Sequence, residues 1–286
     1  ILNNDIICFD DKLEDEAFLQ ALATTPAMYL GSCRYKLPKM ADDIELYEKI
    51  FAFFEANDIT GFFYIGGNDS MDTVLQLSTY AKLHEKSVTI MGVPKTIDND
   101  LCLTDHTPGF GSAAKYIATT LQEIAYDTSI YPLPSVTIVE IMGRDAGWLT
   151  GAATLARTDY GLGPDLIYLP ETAFDTERFL EDVKEIMQKK PNVLIAISEG
   201  IRDKDGKYIS ASTKTLDSFG HSQLSGAGKT LETLIAHRLG IKVRSIELNL
   251  PQRCAAHLSS LTDIEESKEL GRTAVAHALK GASGYM

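Results

Sequence analysis

Cysteine is scarce and scattered: Cys8, Cys33, Cys102 and Cys254 are the four in 286 residues, and no two form a CxxC pair. That spacing excludes a disulfide framework and reads as reduced thiols in a cytoplasmic protein. The six histidines are spread as thinly, which argues against a zinc site. Positive charge is also short, with 27 Lys and Arg against 40 Asp and Glu, a net charge of −13. No general positive field exists to bind nucleic acid or an anionic membrane surface. An anionic substrate would need a few local cations instead. No apolar run reaches the roughly 18 residues of a membrane span. The opening ILNNDIICFDD has neither the basic end nor the long apolar stretch of a secretory signal. What is present, 44% hydrophobic and 23% charged residues, is an ordinary globular composition. The length suffices for one large or two small domains with real cores.

Apolar, β-branched runs alternate with segments of helical period. Strands are expected at 61–65, 87–93, 135–142, 165–169, 192–197 and 242–248. They read as continuous apolar runs, as strands buried on both faces of a parallel sheet should. Helices are expected at 42–57, 71–84, 112–126, 145–156, 176–189, 227–239 and 263–280. In the first of these, Ile44, Tyr47, Ile50, Phe51 and Phe54 make one apolar stripe. The alternation implies βαβ crossovers and an α/β fold with an open, doubly wound sheet. No repeat, low-complexity segment or break in composition marks a boundary. Residues 160–164 (YGLGP) and 204–212 are the best loop candidates.

Ligands of such sheets bind at the carboxyl ends of strands. Four strand ends are therefore informative. The first runs into Gly66-Gly67-Asn68-Asp69-Ser70 and a helix. Glycines admit a close ligand and the helix N-terminus offers N–H groups to phosphate, although Asp69 or Ser70 would equally serve as a helix cap. The second runs into Pro94-Lys95-Thr96-Ile97-Asp98-Asn99-Asp100. Asp98 and Asp100, two apart in a loop, suit a shared hydroxyl or metal, or plain solvation. The third runs into Met142-Gly143-Arg144-Asp145. Arg144 at a helix start suits an anion, or a surface salt bridge to Asp145. The fourth runs into Ser198-Glu199-Gly200, where Glu199 would accept from a sugar or cap a turn. The stretch SGAGKT at 225–230 imitates a P-loop, but Gln223 occupies the required first glycine and no good strand precedes it. It reads as an ordinary helix start.

Together GGNDS, PKTIDND, MGRDAGW, ISEG and a later Pro251-Gln252-Arg253 resemble the phosphofructokinase family in order and spacing, from LGSCR at 30–34 onward. Within it the chain looks like the pyrophosphate-dependent branch. ATP-using relatives usually carry glycine where this chain has Asp69 and Lys95. An aspartate there would meet the α-phosphate of ATP, and like charges brought together in a desolvated site cost several kcal/mol. Diphosphate has no such group. Lys95 would stabilise the moving charge, a role whose loss typically costs about 10²–10³ in rate.

The resemblance implies a doubly wound, mainly parallel fold with helices on both faces, in two similar Rossmann-like lobes. Residues 1–160 would form the phosphoryl-donor lobe and 161–286 the sugar-phosphate lobe. It implies reversible, glycolytic phosphoryl transfer from diphosphate to the 1-hydroxyl of fructose 6-phosphate, with Mg²⁺, in a cytoplasmic homodimer or homotetramer. Asp98 would be the general base, Lys95 and Arg144 its catalytic companions. Thr96, Ile97, Asp98, Asp100, Met142, Gly143, Arg144, Glu199 and Arg253 would bind the sugar phosphate. Gly66, Gly67, Asp69, Ser70 and Arg34 would bind diphosphate. Asn68 and Asp100 would meet the metal. The match has gaps. Asn68 replaces a usual aspartate, and a neutral amide is a weaker ligand for a hard cation. Ser135 replaces an arginine of ATP-using relatives that reaches a neighbouring subunit. Cys254-Ala255 replaces a glycine pair. The family's first glycine-rich loop and its last strand are not found, so the chain looks like a fragment. Rival readings are an ATP-dependent phosphofructokinase, a non-catalytic sugar-phosphate-binding homologue, and a dinucleotide oxidoreductase, which the missing GxGxxG disfavours.

Overall fold

The computed structural model describes residues 1, 3, 5–33, 35–159, 161–209 and 226–286. Its helices and strands run, in chain order, α1 (Asp10–Leu13), α2 (Glu16–Leu22), α3 (Ile44–Ala56), β1 (Gly61–Gly66), α4 (Asn68–Leu83), β2 (Thr89–Pro94), α5 (Phe110–Ser129), β3 (Ser135–Ile141), α6 (Trp148–Gly151), β4 (Leu166–Tyr168), α7 (Thr176–Met187), β5 (Asn192–Ser198), α8 (Ala227–Leu239), β6 (Lys242–Glu247) and α9 (Leu261–Ala278). They form two compact units. The first comprises Ile1–Thr96, Asp100–Pro108 and Leu261–Met286, the second Ile97–Asn99 and Gly109–Ser260.

In the first unit β1 and β2 pair in parallel, from Gly61 opposite Thr89 to Gly66 opposite Pro94. The far edge of β2 is taken up too: Gly284 N–H donates to the Ile90 carbonyl and Gly92 N–H to that of Tyr285. The core joins Tyr47, Ile50, Phe51 and Phe54 of α3 to Val74, Leu77 and Tyr80 of α4 and Ile90 of β2. Four of the five residues of the stripe read from sequence thus face inward, while Ile44, at the first turn, is exposed. Asp43 caps α3 by accepting from Leu46 N–H at 3.1 Å, which anchors the helix where its apolar period begins.

In the second unit four strands run in the order β4-β5-β3-β6, all parallel. Successive residues point to opposite faces, and both faces are covered. Val136, Ile138, Val193 and Ile195 pack on α7 and α8 through Phe179, Val183, Leu231 and Ile235. Val139, Ile141, Leu194 and Ala196 pack on α5 through Ala113, Ile117 and Leu121. This two-sided burial explains why the strands read as unbroken apolar runs. The carboxyl ends of β3 and β5 consequently emerge side by side, Ile141 opposite Ser198.

One expected helix is broken. Residues 145–156 read as a single helix, yet only Trp148–Gly151 is α-helical, and a 3₁₀ turn follows at Ala152–Ala156. Gly147 N–H is drawn instead to the Glu171 carboxylate at 2.6 Å. The segment 143–147 is a loop, and Arg144 does not stand at a helix start. The SGAGKT decoy begins an ordinary helix: Gly226 is the left-handed N-cap residue of α8, while Ser225 lies outside the described residues. Among the described residues no helix is long and apolar enough to cross a membrane, no three or more His, Cys, Asp or Glu gather as a metal cluster, and the four cysteines are free.

Candidate active site

The residues singled out from sequence divide between the two units. Gly66 to Ser70, Lys95, Thr96 and Asp100 belong to the first, and Ile97, Asp98, Met142 to Arg144, Glu199 and Arg253 to the second. Arg34 lies outside the described residues.

In the first unit, β1 and β2 deliver two loops from neighbouring parallel strand ends. Lys95 N–H donates to the Gly66 carbonyl at 2.9 Å, so the two loops leave together. The glycines have different reasons to be there. A Cβ on Gly66 would lie 2.0 Å from the Ser70 hydroxyl oxygen, so the fold itself forbids one. A Cβ on Gly67 would meet nothing closer than 3.6 Å, and its φ of −94° suits any residue. Among the described residues nothing requires a glycine at 67. Gly67 is the N-cap residue of α4, and its carbonyl accepts from Ser70 and Met71 N–H. Asp69 lies exposed in the first turn of that sixteen-residue helix. Lys95 is exposed as well, whereas Thr96 is 8% exposed and its backbone is held by Thr107 and Pro108. Asn68 Nδ2 donates to Asp100 Oδ2 at 2.7 Å, which ties the two side chains together through the amide nitrogen.

Asn99, between the two aspartates, is 6% exposed and takes φ 55°. Asparagine tolerates this left-handed turn better than most residues. The turn carries Asp98 into the second unit and Asp100 into the first.

In the second unit the ends of β3 and β5 are stitched together. Ser198 hydroxyl donates to the Gly143 carbonyl at 2.6 Å and accepts from Gly200 N–H at 3.0 Å. Glu199 N–H donates to the Ile141 carbonyl at 2.9 Å, and Glu199 Oε1 accepts from Gly143 N–H at 3.2 Å. Gly143 has φ 135°, and a Cβ on Gly200 would lie 1.9 Å from the Arg144 carbonyl oxygen. Both glycines are therefore dictated by the crossing of these two loops. Gln252, 2% exposed, accepts from Met142 N–H at 3.2 Å and links its neighbour Arg253 to the same loop. Arg253 is exposed.

Burial pushes the Glu199 carboxyl up to about 7; the charges of Glu140 and Asp98 act in the same direction, and Gly143 N–H and the Arg144 guanidinium act against it. Glu140 is itself buried at 4% exposure, where it accepts from Gly228 N–H at 2.7 Å, and burial raises its pKa too. Asp98, Glu140, Glu199 and Arg144 thus form one electrostatically coupled group.

Sequence reasoning missed Ser198, Gln252 and Glu140 as parts of this construction. Glu140 had a visible signal, a carboxylate in the middle of the apolar run SVTIVEIM. Ser198 and Gln252 had none, because their partners lie 55 and 110 residues away. The expected alternative partner of Arg144 is also corrected: Asp145 is ion-paired with Arg202.

A family description of phosphofructokinases matches residues 5–248. The chain belongs to the phosphofructokinase family. Its relatives include a pyrophosphate--fructose 6-phosphate 1-phosphotransferase of Xanthomonas campestris pv. campestris, 44% identical over 97% of this chain and 67% of that protein. One of the same name from Halomonas elongata is 41% identical over 100% and 68%. A solved pyrophosphate-dependent phosphofructokinase from Nitrosospira multiformis superposes with a TM-score of 0.81 at 34% identity, covering 94% of this chain and 63% of that one. The phosphofructokinase chain thus spans 63% of the length of this solved relative. The parallel sheets expected from its alternating runs are those of this family.

Proposed function

We propose that the protein of which this chain is part transfers a phosphoryl group from diphosphate to the 1-hydroxyl of fructose 6-phosphate, reversibly, yielding fructose 1,6-bisphosphate and phosphate. The observation that carries this reading is the pair Asp69, exposed in the first turn of α4, and Lys95, exposed just past β2, both directly after adjacent, hydrogen-bonded strand ends. Diphosphate would be held by Gly67, by the N-terminal N–H groups of α4 and by Lys95, with Arg34 as a further cation. Support for Gly67 is that, among the described residues, a Cβ there would meet nothing closer than 3.6 Å, which leaves close approach of a ligand as the reason for a glycine. Asp69 would repel the α-phosphate of a nucleotide.

On the acceptor side Arg144 and Arg253 would bind the sugar phosphate, and Asp98 would take the proton of the 1-hydroxyl as it attacks the terminal phosphorus. Glu199, with its carboxyl raised to about 7, holds a proton at and below neutral pH and would donate to a sugar hydroxyl as well as accept. The Asp100 carboxylate is a hard oxygen donor that fits Mg²⁺, and Asn68, hydrogen-bonded to it through Nδ2, would add its amide oxygen only after turning from that contact. Bound there with phosphate oxygens, Mg²⁺ would neutralise charge on the diphosphate. A cytoplasmic homo-oligomer fits the free cysteines and the family.

Steady-state kinetics of the full-length protein with fructose 6-phosphate test the reading. Diphosphate should support turnover and ATP should not. The double variant Asp69→Gly/Lys95→Gly should lose most diphosphate activity and gain activity with ATP. A donor preference unchanged by the double variant would overturn the roles of Asp69 and Lys95.

A further inference from the structure

We infer that Arg202 is a positioning residue: by holding the Asp145 carboxylate, it keeps that carboxylate from competing with an anionic ligand for the adjacent Arg144. The inference rests on the reading of Arg144 as a sugar-phosphate ligand. Its basis is a three-residue arrangement that the reaction does not otherwise use. Arg202 Nη2 donates to Asp145 Oδ1 and also to the Tyr208 hydroxyl. The guanidinium lies over the Tyr208 ring, 4.4 Å from its centroid. Arg202 and Tyr208 are bridged in antiparallel fashion, and Arg202 is bridged to Ala173 on its other side. The Arg202 carbonyl accepts from Phe174 N–H at 2.6 Å. The guanidinium is thus fixed by backbone pairing, a ring and a hydroxyl before it meets Asp145.

Asp145 has no such support. Its side chain is 66% exposed, in a loop that is not helical. A carboxylate one residue from an arginine in a loop has Arg144 within its reach once released. The neighbour in sequence is then a built-in competitor for any phosphate, because carboxylate and phosphate suit the same guanidinium fork. Arg202 removes that competitor. Both partners are substantially solvent-exposed, 66% for Asp145 and 35% for Arg202, so the effect is modest. A released Asp145 should weaken phosphate-ester binding about fivefold, equivalent to ~1 kcal/mol.

The test is calorimetric titration of fructose 6-phosphate into the full-length protein and its variants. Arg202→Met should weaken binding about fivefold and raise KM by a similar factor, with kcat within about twofold. Asp145→Asn alone should bind as the parent does. The double variant Arg202→Met/Asp145→Asn should recover parental affinity, because the competitor is gone. Arg202→Met/Asp205→Asn restores the same net charge by neutralising an exposed carboxylate of the neighbouring turn, and should recover little. Rescue by Asp145→Asn but not by Asp205→Asn supports the inference. No rescue by Asp145→Asn, equal rescue by both, or undiminished binding by Arg202→Met overturns it. If the parent itself gives no heat with fructose 6-phosphate, the sugar-phosphate reading fails instead. The same proteins titrated with inorganic phosphate then decide the role of Arg202 by the same pattern.

Discussion

Replacing Glu199 by glutamine should flatten a pH dependence that the parent protein shows between pH 4.5 and 7. The amide keeps an oxygen for Gly143 N–H, which donates to Glu199 Oε1 at 3.2 Å, and removes only the titration. In the folded chain burial raises this carboxyl from 4.5 to about 7, with Glu140 and Asp98 adding to the rise. Between those values the folded state keeps a proton that the unfolded state has released. Stability from this group is therefore fully present below pH 4.5 and is lost as pH rises through 7. The gap of about 2.5 units corresponds to a ceiling of roughly 3 kcal/mol at 1.36 kcal/mol per unit. Most of it, about 2.5 kcal/mol, falls between pH 5 and 8. Two measurements check it. Carboxyl carbon NMR should show Glu199 titrating near 7, and denaturant unfolding should show the parent losing up to that amount more than Glu199→Gln between pH 5 and 8. A Glu199 midpoint near 4.5, or parallel stability curves for the two proteins, would refute the electrostatic account of the second unit's site.

Two further predictions follow from the same contacts. Glu140→Gln removes one of the charges that raise Glu199, so the Glu199 midpoint read by NMR should move down toward 4.5; an unchanged or higher midpoint would contradict the coupling. The glycines at the strand ends should separate by role: Gly200→Ala forces a Cβ to 1.9 Å from the Arg144 carbonyl and should destabilise by about 1–3 kcal/mol or more, whereas Gly67→Ala should leave the melting temperature nearly unchanged while weakening diphosphate binding. A large loss of stability in Gly67→Ala would contradict the reading of its glycine as a ligand requirement.

The strands were legible because their physics is local. A strand buried on both faces must be apolar along its length, and the expected segments at 135–142, 192–197 and 242–248 are those of β3, β5 and β6 to within a residue. The helices at 42–57 and 227–239 were legible from their helical period. Two short helices near the start, α1 and α2, were not, since neither buries a residue and so neither carries an apolar stripe. The break after Gly143 was not legible either. The residues 145–156 have helical period, yet the helix starts only at Trp148, with Gly147 as its N-cap residue and the Gly147 N–H bonded to the distant Glu171.

By itself the sequence determined the parallel α/β class, the family and the strand ends where chemistry should sit. Those follow from short-range periodicity and from motifs of contiguous residues. Only the tertiary structure decided which partner each polar group finds. It assigned Asp145 to Arg202 over Arg144, Gln252 to Met142, and Glu140 to the start of α8. It also returned α9 to the first unit, 153 positions after that unit's preceding segment ends at Pro108. A hydrogen bond or ion pair between residues 50 to 110 positions apart leaves no periodic trace in the chain. It depends on geometry that exists only once the sheet has brought the strand ends together.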